Sequence, residues 1–175
     1  MSPGGSSRGR VGLRRRSALL AGIVIAAVPL VARAQAPEPG RAYGLAFQPL
    51  PAGAAFAVRA LDDSAGNLRL ARRFAEALRH RGRAVQPALA PLTLNFETEI
   101  QQVPNRDTRY PGDSRGPVRY VLTATVDDAT GKRLWNGEAS YVGNPNAETL
   151  IFAQLVEVLA DEVGRTSAAH GFLLE

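Results

Sequence analysis

The chain has 175 residues, of which 45% are hydrophobic and 21% charged, with no Cys and a formal net charge of +5. This length and composition suit one ordinary globular domain and exclude a disordered polymer. The absence of Cys excludes disulfides, a thiolate zinc site, a cysteine nucleophile and a lipid-modified Cys.

Residues 1–36 predict a cleavable export signal. An arginine-rich start precedes a mostly apolar run at 18–32, and Ala34 and Ala36 fit the small-x-small rule for signal peptidase. A membrane-spanning helix needs about 20 apolar residues, and this run is shorter. Cleavage is therefore favoured over the alternative, an uncleaved anchor, and we expect a periplasmic protein that does not span the membrane.

The export route has two interpretations. Arg15 and Arg16 lie directly before Ser17 and the apolar run, an order similar to a twin-arginine signal. Ala18 stands where that signal usually has Phe. The sequence therefore leaves both the twin-arginine route and the general secretory route open.

The basic character of the whole chain comes from this first segment. Six of its 21 Lys and Arg residues precede residue 37, whereas none of its 16 Asp and Glu residues does. The mature chain keeps 15 basic groups and has a net charge of −1. Because aromatic residues are not interleaved with its arginines, we do not expect it to bind nucleic acid.

The mature chain begins with a stretch rich in Pro, Gly and Ala. We interpret residues 37–53 as an extended linker whose one candidate element is an edge strand at 43–47. A single domain is predicted over 54–164, with its first strand at 55–61. The short oxygen-bearing side chains at 62–64 then provide a helix cap.

An amphipathic helix is predicted from Asn67 to Arg81. At 100° per residue, apolar side chains fall on one face and charged ones on the opposite face. Gly82 follows at the position where a left-handed residue commonly ends a helix. The predicted inward face consists of Leu70, Ala71, Phe74 and Leu78.

Two strands and a loop follow this helix. Residues 83–86 form a short strand or connector, and 92–100 alternate apolar and polar residues as a half-buried strand does. Residues 101–117 are polar and rich in Pro and Gly, which predicts a long loop.

A hairpin and a second helix complete the domain. Strands at 118–126 and 133–142 flank the turn sequence 127–132. Asn144 and the proline after it can open the helix, whose apolar face runs through Val163. Residues 165–175 are left as a C-terminal tail.

These elements predict an α+β fold. Two amphipathic helices cannot bury themselves, and the alternating strands offer one apolar face. The simplest arrangement is a mostly antiparallel sheet of four to five strands with both helices packed on one face.

Residues suited to catalysis are sparse. His80 and His170, the two histidines, are far apart in sequence, and no spacing of His, Asp and Glu suggests a metal or cofactor site. Glu97 and Glu99 share one face of a strand, which permits an acid–base pair, although exposed strands produce such pairs routinely. We therefore predict no catalytic residue, with a small hydrolase using these two carboxylates as the alternative.

Arginines dominate the predicted outer face of the first helix. Anionic headgroups are natural partners for such a strip in an envelope compartment, whereas the plainer interpretation is a solvated face. The candidate surface for an anionic partner comprises Arg69, Arg72, Arg73, Arg79 and Arg83.

Two motifs carry a resemblance to a known family. The helix exit Leu78–Gly82 has the pattern L-x-x-x-G, and Asp127–Ala139 has the pattern D-x-x-T-G-K-x-x-W-x-G-x-A. Both resemble small bacterial envelope proteins of the domain of unknown function 4136 family, over roughly residues 55–163. Many members carry a lipidated Cys that this chain lacks. The resemblance implies an envelope location and a role without catalysis.

The sequence therefore predicts an exported periplasmic accessory or binding protein. Its expected partner is an envelope protein or an anionic lipid or glycolipid. A small periplasmic hydrolase and a module that binds anionic lipid are the alternatives.

Overall fold

A computed structural model describes residues 40–87, 89–103 and 116–174. The predicted export signal, with Arg15, Arg16, Ala34 and Ala36, lies outside these residues, as does most of the loop predicted at 101–117. Two helices are described, α1 (Ala65–His80) and α2 (Glu148–Glu162), the second preceded by a short 3₁₀ turn at Pro145–Ala147. The strands are β1 (Gly40–Ala46), β2 (Phe56–Ala60), β3 (Leu92–Gln102), β4 (Val118–Asp128), β5 (Arg133–Gly143) and β6 (Ser167–Phe172).

All six strands belong to one sheet, in the order β2-β3-β4-β5-β1-β6. Only β2 and β3 run parallel, and every other neighbouring pair is antiparallel. Both helices pack on the same face, α1 over β2 and α2 over β5, β4 and β1. The predicted α+β class is confirmed, with six strands where four to five were expected.

The predicted hairpin is confirmed as β4 and β5. Its turn depends on Asp128, whose Oδ1 accepts hydrogen bonds from the backbone N–H groups of Thr130 and Lys132 and from the Thr130 hydroxyl. The bond from the Thr130 side chain is the main cause of a lowered pKa for the Asp128 carboxyl. Gly131 adopts a φ of +83°, which only glycine reaches without strain.

The core lies between the sheet and the two helices. Phe74 of α1 packs against Phe96 of β3 with ring centroids 5.8 Å apart, and Tyr120 of β4 meets Phe152 of α2 edge-on at 5.4 Å. Trp135 is fully buried. Within the predicted inward face of α1, Phe74 and Leu78 are buried while Leu70 and Ala71 are half-buried.

The interpretation of residues 37–53 as a linker with an edge strand requires correction. Residues 40–46 form β1, which lies inside the sheet between β5 and β6. The residues of β1 that face the helices have small side chains, because the rings of Trp135 and Phe172 occupy the space between β1 and the helices. The Trp135 indole lies 3.0 Å from where a Cβ on Gly44 would be, and the Phe172 ring fills the place of one on Gly40.

The predicted tail at 165–175 also contains regular structure. Residues 167–172 form β6, which pairs with β1 and provides the sixth strand. Phe172 stacks on Tyr141 with ring centroids 6.5 Å apart. The C-terminal segment is therefore part of the domain, which extends beyond the predicted limits of 54–164 at both ends.

Residues 83–86, predicted as a short strand or connector, form a connector that makes a single bridge to β2. Phe56 of β2 donates its N–H to the Ala84 carbonyl and accepts from the Gln86 N–H, both at 2.9 Å. This pairing covers part of the outer edge of β2 without forming a seventh strand.

Candidate binding surface

The start of α1 is fixed by a chain of hydrogen bonds around Asn67. Ser64 accepts from the Asn67 N–H at 3.2 Å, which caps the helix, and Asp62 accepts from the Asn67 side-chain amide at 3.1 Å. The Thr98 hydroxyl of β3 donates to Asn67 Oδ1 at 3.1 Å. Asn67 is only 6% exposed, so these bonds satisfy its polar atoms and tie the first turn of α1 to the sheet.

The structure divides the predicted arginine strip into two groups. Arg69, Arg72 and Arg79 are exposed and form no ion pair with any described residue. Arg73 approaches Glu157 of α2, with 3.5 Å between Nε and Oε1. Arg83 instead turns towards the protein, where Nη2 donates to the Val163 carbonyl at 3.2 Å. The strip is therefore not one continuous cationic surface, and Arg83 has a structural contact.

Arg81 is the arginine whose role sequence reasoning missed. Its Nε and Nη2 donate to the two carboxylate oxygens of Asp161 at 2.5 and 2.9 Å. Nη1 donates to the Ala77 carbonyl and to Glu157 Oε2, and Nη2 also donates to the Glu157 carbonyl. The Arg81 guanidinium thus joins the end of α1 to α2 through four acceptors on α2, and its fifth acceptor, the Ala77 carbonyl, lies in α1.

The contact shifts both charged partners towards their ionised forms. The hydrogen bonds from Arg81 hold the pKa of the Asp161 carboxyl below its ordinary value, and those to Asp161 raise the pKa of the Arg81 guanidinium. Because the lowered pKa belongs to the folded state, Asp161 stabilises the fold above its ordinary pKa of about 3.9 and loses that contribution as the pH falls through the lowered value.

We therefore expect acid to remove the contribution of Asp161. Asp161→Asn should reduce the free energy of unfolding at neutral pH by about 1 kcal/mol, because this half-exposed pair is screened by solvent. The difference from the unaltered protein should approach zero below the lowered pKa. Urea denaturation at neutral pH and at successively lower pH values below about 3.9 measures the difference, and a difference that does not shrink as the pH falls would contradict this account.

An open groove follows the line between α1 and α2. Its central part has a volume of about 440 Å³, and a deeper part of about 250 Å³ adjoins it at the N-terminal ends of the helices. Arg69, Leu70 and Thr149 border both parts. The groove mixes charges, because Glu76 and Glu148 also border it.

A second concavity lies on the opposite side of α1, towards β2. We call this feature, with a volume of about 280 Å³, the α1 trough. Arg72 and Arg79 border it, two helical turns apart, and no acidic residue from the described part of the chain does. The remaining lining residues are mostly apolar: Val58, Ala71, Ala75, Val85, Gln86 and Pro87.

The carboxylates considered for acid–base chemistry lie elsewhere. Glu97 and Glu99 are exposed on the sheet face that carries no helix, opposite Thr123 and Val121 of β4. Neither borders the groove or the α1 trough.

The two histidines also lie apart in the structure. His80 is exposed near the end of α1, and His170 of β6 has its Nε2 3.6 Å from Glu162 Oε1. Among the described residues, no group of three or more His, Asp or Glu side chains is placed to hold a metal ion. No helix in the described part of the chain is long and apolar enough to cross a bilayer.

Comparison with known proteins finds similarity of fold. No protein-family model matches the sequence, and no curated protein matches it. The PelC dodecamer from Paraburkholderia phytofirmans is similar at 16% identity and a TM-score of 0.50, over 73% of this chain and 99% of that one. A variant of the same dodecamer gives 15% identity and the same TM-score and coverage.

A member of the domain of unknown function 4136 family is also among the structural neighbours. A DUF4136 family protein from Bacteroides thetaiotaomicron is 10% identical with a TM-score of 0.40, over 72% of this chain and 97% of that one. At these identities the similarities concern the fold alone.

Proposed function

We propose that this chain is an exported, non-catalytic accessory protein of the bacterial cell envelope that binds anionic lipids or glycolipids through α1. The observation that carries the proposal is the α1 trough. Two guanidinium groups without an ion pair among the described residues, those of Arg72 and Arg79, border an apolar floor that no acidic residue lines.

The chemistry of the trough matches that of an amphiphile. Arginine binds phosphate and carboxylate oxygens through a planar set of N–H donors, so Arg72 and Arg79 can hold anionic headgroups. The apolar side chains between them, such as Val58 and Val85, offer surface to the first methylene groups of an acyl chain. Arg69 on the same helix adds to the positive potential that attracts an anionic surface.

The envelope location rests on the predicted export signal at 1–36. We propose that this segment is removed and that the mature protein acts in the periplasm. The small-hydrolase alternative receives no support from the position of Glu97 and Glu99, because an acid–base pair acts within a concave site that holds substrate.

Vesicle flotation tests the proposal. The chain beginning at Pro37, which keeps every described helix and strand, should bind vesicles containing phosphatidylglycerol more tightly than vesicles of phosphatidylcholine alone, and less tightly as salt rises. The double variant Arg72→Ala with Arg79→Ala should lose about 2 kcal/mol, or roughly 30-fold in partitioning, since each arginine near a membrane contributes about 1 kcal/mol.

The matched control removes two arginines from the other side of the sheet. Arg59 and Arg119 are exposed on the face without helices. Arg59→Ala with Arg119→Ala therefore changes the net charge equally while leaving the trough intact. The proposal is wrong if both double variants lose binding to the same extent, or if the unaltered chain does not distinguish the two vesicle types.

A further inference from the structure

The two edges of the sheet differ in how far they are covered. At one edge, β2 has part of its outer side occupied by residues 84–86, through the two hydrogen bonds of Phe56. At the other edge, β6 pairs only with β1 among the described residues. The outer side of β6 is therefore the uncovered edge of the described sheet.

The backbone of β6 presents hydrogen-bonding groups along this edge. The N–H groups of Gly44 and Ala46 point from β1 towards β6, where they bond to the Ser167 and Thr166 hydroxyls. Because strand residues alternate in direction, Arg41 points the other way, towards β5. Its partner Gly171 then directs its own N–H and C=O away from the sheet.

β6 carries one of the usual protections of an edge strand, a register shift in its pairing with β1 between Ala42 and Gly44, but it has no Lys or Pro. Natural edges are commonly guarded by Lys, Pro or an inward-pointing charge. The exposed residues of β6 are Ala168, Ala169, His170 and Gly171. Only His170 among them is ionisable, and its imidazole lies beside the Glu162 carboxylate.

We infer that β6 is a self-association surface, on which the β6 strand of a second copy pairs antiparallel. The occupant is a second copy because this edge is self-complementary: each strand offers the same donors and acceptors, and an antiparallel pair related by a two-fold axis satisfies both sets. Like charges do not oppose one another along the pair, because β6 contains no Asp, Glu, Lys or Arg.

The covered edge of β2 also favours a closed dimer over an open chain of copies. A filament would need β6 to pair with β2, whose outer side is partly occupied. Pairing of β6 with β6 uses one edge of each copy and leaves a twelve-stranded sheet with all four helices on one face. The α1 troughs would then lie at the two ends of that face.

Cysteine crosslinking tests the pairing directly. Since the chain contains no Cys, Ala169→Cys and Gly171→Cys each introduce a single thiol at the β6 edge. Mild oxidation should give a disulfide-linked dimer from at least one of them, whereas Arg59→Cys on β2, also exposed at an edge strand, should remain monomeric. The interface is small, so sedimentation velocity should show a dimer of micromolar affinity.

Two further variants weaken the pairing in different ways, so that the test does not depend on the effect of a single substitution. Gly171→Pro removes the outward N–H, and Ala169→Lys adds the charge that guards natural edges. Both should weaken dimerisation by about tenfold or more while the far-UV circular dichroism and the melting temperature show a folded chain. A monomer at every concentration overturns the inference, as does Arg59→Cys crosslinking as readily as the β6 variants. If β6 pairs only with a strand of a different protein, the purified chain would also be a monomer at every concentration, and the inference would be overturned.

Discussion

Trp135→Ala is expected to lower the free energy of unfolding by about 3–5 kcal/mol, the range found when a buried aromatic residue is truncated. Trp135 is 0% exposed, and its Nε1 donates to the Arg165 carbonyl at 3.0 Å, just before β6. The substitution leaves a cavity and removes the partner of that carbonyl. Trp135 is the only Trp of the chain, so the variant has no Trp fluorescence with which to follow unfolding. Urea denaturation followed by circular dichroism therefore measures the change.

A matched comparison separates this effect from the general loss of an aromatic ring. Phe47 is 52% exposed, so Phe47→Ala should cost no more than about 0.5 kcal/mol. Equal effects of Trp135→Ala and Phe47→Ala would show that the packing of Trp135 contributes little.

A clash at Gly137 provides a second measure of the same packing. A Cβ at Gly137 would lie 2.5 Å from the Trp135 ring, so Gly137→Val should be strongly destabilising by itself. In a double-mutant cycle, Trp135→Ala should relieve part of that cost.

Arg81→Met is expected to lower the free energy of unfolding by about 1.5–3 kcal/mol, the usual contribution of hydrogen bonds to charged groups. The Met side chain keeps most of the apolar stem but cannot donate to Asp161, Glu157 or Ala77. The released carboxylates of Asp161 and Glu157 can rehydrate, since their side chains are 56% and 42% exposed. This limits the loss to the hydrogen bonds themselves.

The control for this prediction is a neighbouring arginine on the same helix. Arg79→Met should change the free energy of unfolding by no more than about 0.5 kcal/mol, because Arg79 is exposed and forms no ion pair among the described residues. If Arg79→Met is as destabilising as Arg81→Met, the effect arises from the loss of positive charge near the helix end. Parallel denaturation curves at low and high salt distinguish these outcomes.

The elements that could be predicted are those whose large apolar residues alternate or recur with a clear period. Phe74 and Leu78 identify α1, and the β4–β5 hairpin has both alternation and a glycine turn. β1 was hidden because Gly40, Ala42 and Gly44 face the helices where a strand usually carries large side chains. The apolar volume that large side chains on β1 would normally provide is supplied by Trp135 and Phe172, which are distant from β1 in sequence.

The candidate surface could be predicted only in outline. Helical spacing places Arg69, Arg72 and Arg79 on the outer face of α1, as the structure does. It could not separate them from Arg73 and Arg83, whose contacts are Glu157 and the carbonyl of Val163. The importance of Arg81 likewise depends on α2, about eighty residues further along, and no local pattern indicates that contact.

The position of β1 has a consequence for the order of folding. Arg41 faces Ser140 across one side of β1, and Gly40 faces Phe172 across the other. Among the described strands, the first in chain order thus pairs only with the last two, β5 and β6. Because such distant contacts require a long loop to close first, they slow folding. The sheet cannot assemble progressively from its N-terminus, and a chain interrupted before Ser167 would expose β1 as a bare edge.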